Sequence, residues 1–437
     1  MTRSNSYMNR NFLMLWQGQL VSEAGTQLFQ VVLVLWLKQI TGSATLVGLL
    51  MMAYTIPAVV LGPLGGTLAD RYSRRMILLV GDVVRGAVLL GTGLFLMWWP
   101  PSTTVVVASL FACAVLGGAI GAIWQPSGVS IVPDLVPKES LSTTNSFIQG
   151  SFQLGTVGAQ AFAGVLFRIL GAPLLMVIDG ISFLYAALSD ALLRVPAMAP
   201  KPVPSSGRFA ALKADTMEGL RHIHSRPGMR VLFYTVAFFQ VLTISILVLF
   251  PFYVDEQLHA RPQWYGFLLA ASGVGVALGY GLGGAAARLS PATTSRITQL
   301  FMSLWSLGII ALALTTSSWI ALGIVGVIGI MNGFIGLRLL TVFQLVLPSE
   351  IRGRVFGLMM TVTQALLPFG MGLTGFIVDV THHNMTLVYL LCGGVATVVA
   401  LNVGLRRECR KFLAGEDATF PVLLVDKAAA SRSLDVA

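Results

Sequence analysis

Long apolar runs separated by short polar turns organise the whole chain. Twelve of these runs reach the length of a helix crossing a hydrocarbon core, about 20 residues. They lie at roughly 11–37, 44–68, 76–99, 103–130, 143–169, 174–194, 230–254, 264–287, 296–315, 318–346, 354–379 and 385–405. Helices satisfy their own backbone hydrogen bonds and so tolerate lipid. The turns carry breaker residues, as in Thr41-Gly42-Ser43, Trp99-Pro100-Pro101-Ser102 and Gly171-Ala172-Pro173. The pattern predicts an all-α membrane protein. Its first run is of full transmembrane length, with Glu23 inside it and no clear small-residue cleavage site, so it is expected to remain as the first span.

The longest internal connection, about 195–229, divides the spans six and six. It opens with Pro196, Pro200, Pro202 and Pro204, then Ser205-Ser206-Gly207. An amphipathic helix is expected next. Phe209, Leu212, Thr216, Leu220 and Ile223 share one face, and Lys213, Arg221 and Arg226 are available to anionic headgroups. This predicts a first six-helix bundle over 1–195, a central loop over 196–229, a second bundle over 230–406 and a tail over 407–437. Two echoes support a duplication: Leu64-Gly65-Gly66 with Leu282-Gly283-Gly284, and Val136-Pro137-Lys138-Glu139 with Leu347-Pro348-Ser349-Glu350. Six-helix repeats that enclose a substrate site between them are one way to build a transporter.

Composition agrees. The chain is 55% apolar and 11% charged, against roughly 25% charged in an ordinary soluble domain. Its 46 glycines suit close helix approach in a membrane. A net charge of +10 would suggest nucleic acid, but the bases lie in loops between apolar spans, so no nucleic-acid partner is expected. With the N-terminus in the cytoplasm, the outer loops hold only Lys38, Arg168 and Arg261, while Arg85 and Arg338 lie within spans. The asymmetry predicts cytoplasmic termini. Cys113, Cys392 and Cys409 read as free thiols rather than a disulfide framework.

Polar groups inside the spans are the candidate chemistry. Glu23 lies twelve residues past Asn11, near mid-membrane, where an ionised carboxylate is costly. A group that loads and loses a proton as its cavity changes exposure suits proton coupling. It equally suits a cationic substrate, or a neutral Glu bonded to Gln19 or Gln27. Arg338 stays charged, so it is a candidate for binding an anionic group or holding an acid ionised, or it snorkels to the inner interface. Asp82 and Arg85, one turn apart, are expected to pair. Asp179 and Asp379 read as interfacial groups or outer-gate groups, and His382-His383 as a solvated loop and a poor chelate. Gln19, Gln27, Gln30, Trp124, Gln125, Asn145, Gln149, Gln153, Gln344 and Gln364 are cavity candidates, with interhelical hydrogen bonding the alternative for any one of them. No metal-ligand spacing, His/Asp catalytic set or Walker motif occurs, so neither metal, enzyme nor self-contained ATPase is expected.

The hinge Gly66-Thr67-Leu68-Ala69-Asp70-Arg71-Tyr72-Ser73-Arg74-Arg75 resembles the loop between the second and third helices of the major facilitator superfamily. Leu15-Trp16-Gln17-Gly18-Gln19-Leu20, Leu61-Gly62-Pro63-Leu64-Gly65-Gly66, Asp82-x-x-Arg85 and Arg352-Gly353-Arg354-Val355-Phe356-Gly357 resemble its macrolide-efflux and siderophore-exporter branch. The resemblance implies twelve helices in two pseudo-symmetric bundles. It also implies a conformational switch at Gly66, Asp70, Arg71, Arg74 and Arg75, with Asp70 set against the start of the eleventh span near Gly353 and Arg354. The implied activity is export of a small organic molecule, a drug or secreted metabolite, by proton antiport with alternating access. The implied setting is a bacterial-type inner membrane and a functional monomer, with no cofactor besides the proton gradient. The fifth span reads Gly155-Thr156-Val157-Gly158-Ala159-Gln160 where antiporters often carry Gly-Pro, and the fourth lacks the buried arginine of many drug–proton antiporters. An uptake permease of the same fold is the alternative, and a membrane-embedded enzyme or signalling protein the remote one.

Overall fold

The computed structural model describes residues 9–99, 102–137, 140–194, 217, 220–221, 223–225, 227–286, 289–347 and 349–414, except the side chains of 63, 66–67, 69–71, 142, 349–354, 357 and 360. Among the described residues there are helices and no strands. In chain order these are α1 (Arg10–Thr41), α2 (Ala44–Arg71), α3 (Arg74–Trp98), α4 (Thr103–Leu135), α5 (Leu141–Leu170) and α6 (Ala172–Ala191). The second half holds α7 (Pro227–Phe252), α8 (Gln263–Ala285), α9 (Pro291–Leu314), α10 (Ser318–Val346), α11 (Ser349–Val380), α12 (Met385–Leu405) and the short α13 (Arg407–Leu413). Twelve are long and apolar enough to cross a membrane, in register with the twelve apolar runs.

Local chemistry sets the ends. Asn9, Ser43, Ser290 and Asn384 cap their helices by accepting a backbone N–H, from Phe12, Leu46, Thr293 and Leu387 respectively. Gly42 closes α1 at φ 65°, a left-handed conformation that favours glycine. The α1–α2 turn therefore needs two residues. We call the side of the bundle that carries it the Gly42 face, and the side that carries Arg10 and α13 the terminal face.

The two halves repeat one packing scheme. In the first, α2 lies along α4 and α3 along α6; in the second, α8 lies along α10 and α9 along α12. Glycine makes the α2–α4 and α8–α10 contacts intimate. A Cβ at Gly118 would strike the Tyr54 carbonyl, and one at Gly279 the Ile330 carbonyl. The halves meet along α2–α11 and α5–α8.

Beyond residue 406 the chain begins as a docked helix: Cys409, Phe412 and Leu413 of α13 are fully buried against Ile223, Met229 and Phe343. Its apolar residues share one face, which burial rewards. Ile223 likewise packs into this core instead of lying at a membrane surface, while most of the proposed amphipathic helix, including Phe209, Leu212 and Thr216, lies outside the described residues.

Candidate transport cavity

Glu23 lies 13 positions into α1, about 20 Å along it at 1.5 Å per residue, so the helix delivers the carboxylate to mid-bundle. There Oε1 accepts a hydrogen bond from Gln27 Nε2 at 2.7 Å, one turn further on. Gln27 Oε1 accepts in turn from Gln160 Nε2 of α5 at 3.3 Å. The backbone carbonyl of Gln160 faces Gly266 of α8 in the other half, where only a glycine leaves room. Two glutamines thus connect the carboxylate to the seam between the halves.

Glu23 lines a polar chamber of about 300 Å³ with Gln27, Gln30, Trp124, Gln125 and, from the second half, Gln364. An apolar chamber of about 280 Å³ adjoins it, walled by Val34, Leu50, Leu247, Tyr265 and Leu269 among others. Gln27, Gln30, Tyr54 and Thr55 border both. The sites legible in the sequence that reach this cavity are therefore Glu23, Gln27, Gln30, Arg85, Trp124, Gln125 and Gln364. Tyr54 and Thr55 are additions without a sequence signal, because a lone tyrosine or threonine in an apolar span has many possible neighbours.

The other candidates are not among the residues that line the two chambers. Gln19 is buried inside the first half beside Gly128, Asn145, Gln149 and Gln344 are exposed, and Gln153 is exposed beside Gly273 at the α5–α8 seam. Arg338 is not among the residues lining either chamber, so the structure does not bring it to Glu23. Asp82 and Arg85 form no ion pair within 4 Å among the described residues. Asp82 is buried toward Asp190 and Trp124, whereas the Arg85 guanidinium is held between the rings of Trp124 and Phe183, 5.4 and 5.5 Å from their centroids. Asp179 is 2% exposed, accepts a bond from Ser182 Oγ at 3.1 Å and lines a small pocket with Arg85, so it is not an interfacial, solvated group.

The side chains of Gly66, Asp70 and Arg71, and of Gly353 and Arg354, lie outside the described residues. Arg74 and Arg75 do not. Arg74 pairs with Asp134 at 2.7 Å and donates to the Ser130 carbonyl at 2.6 Å, tying α3 to α4. Arg75 donates to the carbonyls of Asp190 and Ala191 at 3.0 and 2.5 Å, tying α3 to the end of α6.

On the Gly42 face the two halves are tied together. Lys38 reaches across the halves to Asp255 at 2.6 Å and to the Pro251 carbonyl at 2.9 Å. Asp379 accepts from Ser43 Oγ and from the backbone of Ala44 and Thr45. His383 sits within 3.1 Å of Asp379 and 3.4 Å of Glu256, so this histidine is engaged rather than free in its turn. Toward the terminal face, Leu154 of α5 and Leu278 and Leu282 of α8 are 50–76% exposed.

Two pseudo-repeated helical bundles with a polar cavity at mid-depth are the architecture of a membrane transporter. The chain belongs to the major facilitator superfamily, whose family model matches residues 15–371. It is 23% identical over 409 residues to macrolide efflux protein A of Streptococcus pyogenes, covering 92% of this chain and 96% of that one. It is 27% identical over 414 residues to the multidrug efflux pump Tap of Mycobacterium tuberculosis, again over 92% and 96%. Among solved structures it superposes on a bacterial homologue of the iron transporter ferroportin in an inward-facing state, with a TM-score of 0.67 at 19% identity over 90% of this chain and 98% of that one.

Proposed function

We propose that this protein exports a small amphipathic organic molecule from the cytoplasm in exchange for protons, as a monomer in a bacterial cytoplasmic membrane with both termini inside. The observation that carries the reading is Glu23. It is the carboxylate that borders the polar chamber directly and is linked through Gln27 and Gln160 to the α5–α8 seam. Efflux-pump relatives spanning nearly the whole chain support the outward direction.

In this reading the terminal face is cytoplasmic and the structure is open toward it. Substrate enters from that side and lays polar groups against Gln125 and Gln364 and its apolar body against Leu50, Leu247 and Leu269. Opening of the Gly42 face then releases substrate and lets Glu23 take a proton. Return to the present state delivers that proton inward. Protonation changes the charge of Glu23 while leaving it an acceptor for Gln27, so the two states differ in electrostatics more than in packing.

Everted membrane vesicles test this. A labelled panel of macrolides, tetracyclines, cationic dyes and siderophores is offered with and without a protonophore, to wild type and to Glu23→Gln. Accumulation that collapses with the protonophore and with Glu23→Gln is expected. Accumulation only in right-side-out vesicles would overturn export, and protonophore-sensitive accumulation that survives Glu23→Gln would remove Glu23 from the coupling.

A further inference from the structure

Arg85 enters the membrane-spanning part of α3 with no carboxylate within 4 Å among the described residues. A charge at that depth is costly unless it faces a partner, water or a ligand. Its hydrogen bonding falls short. One long contact, Nη2 to the Gly117 carbonyl at 3.5 Å, serves a group with five donors, and Nε is buried without a partner. The site around it is shaped. Trp124 and Phe183 flank the guanidinium, and Gly121 leaves the space that its head occupies, since a Cβ there would lie 2.9 Å from Nη2. Arg85 borders both the polar chamber and the small pocket that holds Asp179 and Gln30.

We propose that Arg85 is the seat for a carboxylate, or an equivalent anionic oxygen, on a flat zwitterionic substrate. This rests on the reading of the chamber as the transport site. A planar guanidinium offers a carboxylate two parallel N–H donors in water-poor surroundings, where such bonds are strong. Trp124 and Phe183 give a flat ring system faces to lie against. Glu23, on the same chamber wall, faces the positive end of the substrate, and Glu23 and Asp179 together discourage an anion that fails to reach the guanidinium. The recognition of anionic groups that the chain offers at Arg338 by sequence is met at the cavity by Arg85.

The test compares rhodamine B, a zwitterion with a flat xanthene ring system and a free carboxylate on its pendant phenyl ring, with its ethyl ester, which keeps the rings and the positive charge but not the anion. Binding is read by fluorescence anisotropy on the purified protein in lipid nanodiscs. Wild type should bind rhodamine B at least about tenfold more tightly than the ester, the scale of one charged hydrogen-bonded contact. Arg85→Gln should abolish the preference by weakening rhodamine B alone, and Arg85→Lys should retain part of it. Gly121→Ala, which crowds the guanidinium, should reduce the preference and provides a second variant should Arg85→Gln fail to fold. Equal affinities in wild type, no binding of rhodamine B, or an equal loss of both dyes in Arg85→Gln would each overturn the proposal. Binding needs no gradient, so a preserved preference without vesicle transport would sink export alone, while transport without the preference would sink the Arg85 seat alone.

Discussion

The carboxylate of Asp379, next to last in α11, accepts the backbone N–H of Ala44, the first residue of α2, at 2.9 Å across the boundary between the halves. It also takes the N–H of Thr45 at 2.9 Å and the hydroxyl of Ser43 at 2.8 Å, while Ser43 takes the N–H of Leu46. A helix start leaves its first N–H groups without internal partners and bears partial positive charge. One half of the protein thus completes a helix of the other.

Asp379→Ala should therefore shift the resting distribution toward an open Gly42 face. Loss of a helix-capping acceptor costs about 1 kcal/mol, or about a fivefold change in population. Nitroxide labels at the exposed Gln39 and Arg261, on opposite halves, give the distance distribution by double electron–electron resonance. An unchanged distribution would remove Asp379 from the latch.

Asp255→Asn should do much less, despite the 2.6 Å contact with Lys38. Asp255 is 63% exposed, and pairs with an exposed partner are worth about 0–1 kcal/mol and are weakened by salt. Lys38 also keeps the Pro251 carbonyl. The same labels should show a smaller shift than for Asp379→Ala at physiological salt, and one that shrinks further as salt is raised.

Two glycine substitutions should separate conformation from stability. A Cβ at Gly375 strikes the Ala44 carbonyl across the halves, so Gly375→Ala should widen the Gly42 face. A Cβ at Gly118 strikes the Tyr54 carbonyl inside the first half, so Gly118→Ala should lower Tm, with overpacking costing about 1–3 kcal/mol. Thermal unfolding and the label distances together would expose a reversal of this order.

Arg338→Gln should leave rhodamine B affinity within about twofold of wild type, since sites without shared contacts act nearly independently. A loss comparable to that of Arg85→Gln would place Arg338 in the cavity after all.

Much of this protein was legible in one dimension. Spans follow from apolar run length because a hydrocarbon core fixes how many residues a helix needs, and the turn at Gly42 follows from backbone freedom. Glu23 stood out because a carboxylate in such a run is expensive. Which polar side chains share a cavity was not legible. Asp82 and Arg85 are neighbours in sequence, yet one turns toward Asp190 and the other into the space beside Gly121. Gln125 and Gln364 meet the same chamber from helices in different halves, while the equally polar Gln344 lies exposed. Asp379 looked like a surface acid until the fold brought the start of α2 to it. Local sequence determines the helices and where charge is costly, because those energies depend on a residue and its near neighbours. The partners that offset the cost come from helix faces packed in three dimensions, and only the tertiary structure decides them.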